Sequence, residues 1–114
     1  MNNEKSRLYE GMYILNANLS EEARKSALNK IKSAIVDKKG EIHKVHDMGK
    51  RRLAYEINKK REGYYYLIYF SIPSPSIDSL WKEYLINEDL IRFTTMKTDK
   101  ILESLEFKPI ELQI

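Results

Sequence analysis

Residues 41–72 read EIHKVHDMGKRRLAYEINKKREGYYYLIYFSI, and this stretch decides the fold. Its two halves are rich in aromatic and β-branched residues, and the polar segment NKKREG at 58–63 separates them. Two such runs on either side of a polar turn are typical of a long antiparallel hairpin. We therefore expect strands at about 41–57 and 63–72, joined at a basic tip. A glycine inside the first strand, Gly49, predicts a bulge or bend there.

The hairpin also holds the cationic surplus of the chain. From Lys38 to Arg61 there are nine Lys and Arg against three Asp and Glu, a net charge of +6, whereas the whole chain carries +3. Tyrosines are interleaved with these cations. Lys and Arg neutralise phosphates, and Tyr and Arg planes can stack on bases, so the pattern favours RNA as a partner. The same charges would also suit a solvated edge strand that uses Lys and Arg to block aggregation between sheets.

The residues before the hairpin predict a strand and a helix. Residues 8–15 alternate between two faces, as a strand does. Ser20 stands at an N-cap position, and apolar residues then recur at helical spacing over 27–35. Gly40 is predicted to be the left-handed cap that ends this helix.

The residues after the hairpin predict a second helix and a last strand. Pro73 ends the third strand, and Ser74 with Pro75 suits the start of a helix. Its apolar stripe predicts a core made of Ile77, Leu80, Trp81, Tyr84 and Leu85. Residues 91–97 alternate again and predict the fourth strand.

The order strand, helix, strand, strand, helix, strand predicts an α+β fold of the ferredoxin-like, split βαβ type. We expect a four-stranded antiparallel sheet with two helices on one face and the other face open. The predicted domain covers residues 1–98, and residues 99–114 are a C-terminal tail that is open to ordering on a partner.

The open face has two candidate uses. The segment from Arg61 to Tyr66 resembles the start of the third-strand motif of RNA recognition motif domains, in which strand aromatics stack on bases, so Tyr65 and Tyr69 are candidates for base stacking. Alternatively, the face could pair with a second copy of the chain in an oligomerising or ligand-sensing module. The apolar residues offered for that contact are Met12, Ile14, Leu67, Tyr69 and Met96.

Composition excludes several classes of chemistry. There is no cysteine, which excludes disulfides, thiolate zinc sites and cysteine nucleophiles. No stretch approaches the roughly 18 apolar residues of a membrane span, so we expect a soluble intracellular protein with no membrane partner. His43 and His46 are three apart on a strand and turn to opposite faces, which argues against a metal site. We expect no cofactor, no catalytic residue and no small-molecule substrate; an acylphosphatase-like enzyme is the third alternative.

Residues 48–57, MGKRRLAYEI, resemble the bacterial ribosomal protein six family of the small subunit. The resemblance begins at Tyr9-Glu10, passes through Gly40 and Gly63-Tyr64 of the hairpin, and ends near residue 97. Gly-x-Arg-Arg-Leu-Ala-Tyr followed at this spacing by Gly-Tyr is specific in combination.

The resemblance implies a structural, non-catalytic protein of the cytoplasmic ribosome. In this family the protein docks, as a heterodimer with ribosomal protein eighteen, onto the central domain of the small-subunit ribosomal RNA. Matching positions imply RNA contacts by Arg51, Arg52, Tyr55, Tyr9 and Arg92. The charge pattern adds Arg7, Lys50, Lys59, Lys60 and Arg61 to the predicted RNA-binding residues.

Overall fold

The computed structural model describes the backbone of residues 5–57 and 60–103, and the side chains of 5–53 and 61–103. The elements in chain order are β1 (Ser6–Asn16), α1 (Glu21–Asp37), β2 (Glu41–Ile57), β3 (Lys60–Pro73), a single 3-10 turn (Ser74–Ser76), α2 (Ile77–Leu85) and β4 (Leu90–Lys97). The strands form one sheet in the order β2-β3-β1-β4, and all neighbours are antiparallel. The predicted ferredoxin-like α+β fold is confirmed.

The main core lies between the two helices and one face of the sheet. Strand alternation turns every second residue of β1 and β3 to this face, where Tyr13, Ile68 and Phe70 are fully buried. The helices contribute the apolar stripes that the sequence predicts for α1 and, in part, for α2. Their buried members are Ala27, Ile31, Ala34, Ile35, Ile77, Leu80 and Tyr84.

The ends of α1 agree only partly with prediction. Ser20 is the N-cap, and its hydroxyl accepts a hydrogen bond from the Ala23 backbone N–H at 3.1 Å. At the other end the left-handed residue is Lys39, with φ of 66°, and not Gly40. Gly40 is required for space instead, because a Cβ there would lie 2.5 Å from Ile35 Cγ2 and 2.6 Å from the Ile35 carbonyl oxygen.

Two residues of α2 that were predicted to be in the core lie outside it. Trp81 is 38% exposed, and its indole N–H donates to the Thr95 hydroxyl at 3.1 Å. Leu85 is 75% exposed. The helix has nine residues, and its buried positions, Ile77, Leu80 and Tyr84, form a stripe too narrow to include their neighbours.

The second face of the sheet is not open. Tyr65, Leu67 and Tyr69 of β3 are buried in a second apolar cluster, together with Met48 and Leu53 of β2. The cluster receives β2 residues because the pairing of β2 with β3 shifts at the Asp47–Gly49 bulge, which re-aims the side chains that follow.

The chain after β4 also covers this face. The Thr98 backbone N–H donates to the Leu8 carbonyl oxygen at 3.1 Å, and Ile101 packs on the second cluster. His46 Nε2 lies 2.7 Å from the Leu102 carbonyl oxygen. The first part of the predicted tail therefore packs on the domain. Residues 104–114 lie outside the described residues, and ordering of the tail on a partner stays a prediction.

No helix within residues 5–57 and 60–103 is long and apolar enough to cross a membrane.

Two buried phenols predict how stability depends on pH. The hydroxyls of Tyr13 and Tyr84 lie 2.8 Å apart, and burial raises the pKa of both above the usual value of a tyrosine. The folded chain therefore keeps both protons at a pH where the unfolded chain releases them. These tyrosines leave the free energy of unfolding unchanged below about pH 10, the usual pKa of a tyrosine. Above that pH the free energy of unfolding falls, by up to about 1.4 kcal/mol per pH unit for each tyrosine.

Urea unfolding between pH 8 and pH 11 measures this dependence. We expect the Tyr84→Phe variant to lose less stability over that range than the unmodified chain, since one of the two phenols is gone. Parallel pH profiles for the two proteins would contradict the assignment.

Candidate nucleic-acid interface

The β2–β3 hairpin extends past the body of the sheet. The pairing of β1 with β3 ends at Asn16 and Gly63, whereas β2 and β3 continue to pair as far as Ile57 and Lys60. We call this end of the hairpin, the described residues 50–57 and 60–62, the arm. Leu53 holds the arm to the body, because it is buried in the second cluster, whereas the cations of the arm are exposed and can approach a large partner.

The base of the arm is shaped by the bulge that the sequence predicts. Gly49 has φ of 77°, and its N–H donates to Asp47 Oδ1 at 2.9 Å. Arg51 Nε donates to the Met48 carbonyl oxygen at 3.0 Å, which ties the first arginine of the arm to the bulge. A left-handed backbone is easily adopted by glycine, so the residue type and the bend agree.

Four predicted RNA-binding residues lie together at the arm, and all four are exposed. They are Lys50, Arg51, Arg52 and Arg61. The register places Arg51 opposite Gly63 and Arg52 opposite Glu62. Since side chains alternate along a strand, Arg51 and Arg61 share one side of the arm, and Lys50 and Arg52 share the other. Phosphates could therefore be met from both sides.

Two further predicted arginines lie elsewhere in the sheet. Arg92 is opposite Ile14 on β4, at the same end of the sheet as the arm but across it, and is half-buried. Arg7 is exposed and pairs with Ile72, at the end of β1 that is farthest from the arm. Arg92 can belong to the same surface as the arm, whereas Arg7 lies apart from it.

The structure corrects the prediction for Tyr9. Its ring is 5% exposed and stacks on Phe70 with 5.7 Å between ring centroids. Its hydroxyl donates to the Ser74 hydroxyl at 3.3 Å. Strand alternation turns Tyr9 toward the helices, so it is a core residue, and we do not retain it in the interface.

The structure also argues against base stacking on the second face, for which Tyr65 and Tyr69 were candidates. Tyr65 is 3% exposed and Tyr69 is 1% exposed, so neither ring presents a face to solvent. Burial also raises the pKa of Tyr69. Both rings are buried within the second apolar cluster. The alternation of β3 predicts the face on which they lie but does not reveal that this face is covered.

Three predicted residues at the tip cannot be placed in full. Lys59 lies outside the described residues, and for Tyr55 and Lys60 only the backbone is described. Their predicted contacts with RNA stay predictions.

Part of the cationic surplus is neutralised within the protein. Lys38 forms an ion pair with Glu83 of α2. Lys44 lies 3.9 Å from Glu103. The two paired lysines lie between the end of α1 and the middle of β2, outside the arm.

Sequence reasoning missed Arg24, the α1 residue that contacts the base of the hairpin. Its guanidinium carbon lies 4.2 Å above the centre of the Tyr64 ring, and one terminal nitrogen donates to the Tyr66 hydroxyl at 2.8 Å. That hydrogen bond raises the pKa of Arg24. The spacing in the sequence could have indicated this position. Arg24 lies three residues before Ala27 and seven before Ile31, and so falls on the buried stripe of α1.

The two histidines contact polar groups of the protein. His43 Nε2 lies 2.6 Å from the Ser71 hydroxyl, and His46 contacts the Leu102 carbonyl as described above. Within residues 5–57 and 60–103, no group of three His, Cys, Asp or Glu side chains could hold a metal ion.

The chain is similar to proteins of one family across most of its length. The family described as Ribosomal protein S6 matches residues 8–97. The chain is 53% identical, over 113 residues, to the small ribosomal subunit protein bS6 of Protochlamydia amoebophila, which covers 99% of each chain. It is also 53% identical over 107 residues to the bS6 protein of Chlamydia pneumoniae, covering 94% of this chain and 96% of the relative.

A solved structure supports the same comparison. The 30S ribosomal protein S6 of Thermotoga maritima matches with a TM-score of 0.78 and 38% sequence identity, covering 82% of this chain and 89% of the other.

Proposed function

The chain belongs to the ribosomal protein S6 family, and from that premise we propose that its arm binds the central domain of small-subunit ribosomal RNA in a heterodimer with ribosomal protein eighteen. Membership of the family makes the chain a structural component of the small ribosomal subunit in the cytoplasm, with the general role of binding ribosomal RNA, and not an enzyme. The surface used, the RNA region and the protein partner are the proposed parts.

The observation that carries the proposal is the cluster of exposed cations at the arm. Lys50, Arg51, Arg52 and Arg61 are exposed at the end of the hairpin that extends past β1. Contacts from Lys and Arg to phosphates position a protein on RNA without reading base sequence. Specificity then comes from the shape of the RNA and from the partner protein.

The charge of the arm also supports the need for a protein partner. Each phosphate contact weakens as salt rises, so a few cations shared with solvent give modest affinity at physiological salt. A second protein that binds both this chain and the RNA adds contacts without more charge on the arm. Joint binding with ribosomal protein eighteen is therefore a physical expectation as well as a property of the family.

Sedimentation with ribosomal subunits tests the proposal. A tagged copy is mixed with small subunits from the source organism and washed at moderate and then at high salt. We expect stoichiometric sedimentation with the small subunit that survives the moderate wash, and tighter binding to central-domain RNA when protein eighteen is present. If the protein stays at the top of the gradient at low salt, the RNA-binding proposal is wrong.

Self-association through the second face receives less support from the structure. Ile14, Leu67 and Tyr69 are buried, and Met12 packs against them, whereas Met96 is 63% exposed. Four of the five apolar residues offered for a contact with a second copy are thus covered by the chain itself. Light scattering distinguishes the two hypotheses, since a stable homodimer that does not bind RNA would favour self-association.

A further inference from the structure

Arg24 joins helix α1 to the base of the basic hairpin by three kinds of contact. Its guanidinium stacks on Tyr64, donates a hydrogen bond to Tyr66 and lies 3.8 Å from Asp47 Oδ2. These partners belong to both strands of the hairpin, Asp47 to β2 and the two tyrosines to β3. A side chain of the body therefore contacts both strands of the hairpin near the base of the arm.

The contacts of Arg24 continue to the arginines of the arm. Asp47 faces Arg24 with one carboxylate oxygen, and its other oxygen accepts the Gly49 N–H at 2.9 Å. Gly49 has the positive φ that bends β2, and the Met48 carbonyl next to it accepts from Arg51 Nε. A continuous series of contacts thus runs from Arg24 of α1 through the bulge to Arg51, the first arginine of the arm.

Tyr64 connects Arg24 to the same surface by a second route. Lys50 Nζ lies 6.0 Å from the centre of the Tyr64 ring, and the ring also lies under the Arg24 guanidinium. Lys50 and Tyr64 face each other in the β2–β3 register. Cations are attracted to the face of an aromatic ring, so Tyr64 couples the position of Arg24 to that of Lys50.

The arrangement is more specific than core packing requires. Arg24 occupies the stripe of α1 that otherwise holds Ala27 and Ile31, and its Nε is buried without a hydrogen-bond partner within the described residues. An apolar residue would fill this position without leaving a buried N–H unpaired. It could not, however, donate to Tyr66 and approach Asp47, as one terminal nitrogen of Arg24 does, while a guanidinium plane stacks on Tyr64.

We propose that Arg24 is a positioning residue that fixes the direction of the arm relative to the body, so that Arg51 and Arg52 meet RNA in one orientation. This inference rests on the proposed function of the arm. Beyond the end of β1 fewer contacts hold the hairpin to the body, the burial of Leu53 among them, and pre-ordering its direction avoids the entropy cost of fixing it on binding.

The direction of the arm can be measured without RNA. The chain has no cysteine, so spin labels can be placed at Asn29→Cys on α1 and Glu62→Cys on the arm, both at exposed positions. Double electron–electron resonance spectroscopy then gives the distribution of distances between the labels. We expect Arg24→Gln to broaden this distribution and Arg24→Lys, which keeps the charge but not the fork, to broaden it less.

Lys25→Gln is the matched control. It removes the same charge from the neighbouring residue of α1, whose ion pair is a surface contact to Glu21 at 3.6 Å. We expect this variant to leave the distance distribution unchanged. A distribution that stays narrow in both Arg24 variants would overturn the proposal.

RNA binding tests whether the orientation matters for function. We expect Arg24→Gln to weaken binding to central-domain RNA about fivefold, the lower end of coupling between protein sites, and Lys25→Gln to leave it nearly unchanged. In a background that already carries Arg51→Ala and Arg52→Ala, the effect of Arg24→Gln should largely disappear, because the positioned groups are absent.

The remaining outcomes separate this inference from the proposed function. If the Arg24 effect is fully additive with the Arg51 and Arg52 changes, Arg24 contacts RNA itself and is not a positioning residue. If the arm loosens and RNA affinity does not change, the orientation of the arm is not used. If the Arg51 and Arg52 changes themselves leave RNA binding intact, the proposed interface is wrong, whatever the labels report.

Discussion

Binding to small-subunit ribosomal RNA is expected to weaken by about ten- to a hundredfold at low salt when Arg51→Ala and Arg52→Ala are combined. Both side chains are exposed at the base of the arm, on opposite sides of it. A phosphate that the protein no longer neutralises keeps its counterion, so fewer ions are released on binding. The slope of log affinity against log salt should therefore decrease by about 2 in magnitude.

The matched control is Lys25→Ala with Lys30→Ala, which removes the same charge from exposed positions of α1. We expect that variant to keep the salt slope, since α1 lies on the body and not on the arm. Both variants are compared by RNA titration at several salt concentrations, with folding verified by circular dichroism. A correctly folded Arg51→Ala, Arg52→Ala protein with an unchanged slope would remove these residues from the interface.

Stability is expected to fall by about 2–3 kcal/mol in Gly40→Ala. The added Cβ would lie 2.5 Å from Ile35 Cγ2 and 2.6 Å from a carbonyl oxygen, so side chain and backbone would both have to move. Ile35 is fully buried in the main core, which leaves it little room. Urea unfolding followed by circular dichroism measures the change.

Two variants at positive φ separate crowding from backbone strain. At Gly49 an added Cβ meets nothing within 4 Å, so the cost of Gly49→Ala comes only from the left-handed φ, about 1 kcal/mol. Lys39→Gly relieves the same strain and should be neutral or stabilising. If Gly40→Ala cost less than Gly49→Ala, the crowding argument for Gly40 would be wrong.

Local signals in the sequence were sufficient for the fold. The bounds of β2 at Glu41–Ile57 agree with prediction, because the strand begins after a helix end and stops at a polar tip. The Ser20 cap and the Gly49 bulge were also found, since each depends on the chemistry of one residue and its near neighbours. The family resemblance and the similarity to known structures lead to the same architecture.

What the sequence missed depends on contacts between distant residues. Arg24 contacts Tyr66, which is 42 positions away, and no local pattern pairs an α1 arginine with a strand tyrosine. The cover over Tyr69 comes partly from residues after β4, so the second face looked open from strand alternation alone. Tyr9 matches a family position, but its side chain lies on the face of β1 that packs against the helices, so it is buried in the core.

The strand order also has a consequence for the growing chain. β1 pairs only with β3 and β4, both of which are synthesised later, and its register joins Ser6 to Pro73. β2 and β3 instead are close in the chain, since Ile57 pairs with Lys60. Closing a short loop costs less entropy than closing a long one, so the hairpin is the first part of the sheet that can form during translation. An isolated hairpin is only marginally stable. The base of the arm therefore becomes rigid only later, when β1, the first strand to be synthesised, joins the sheet.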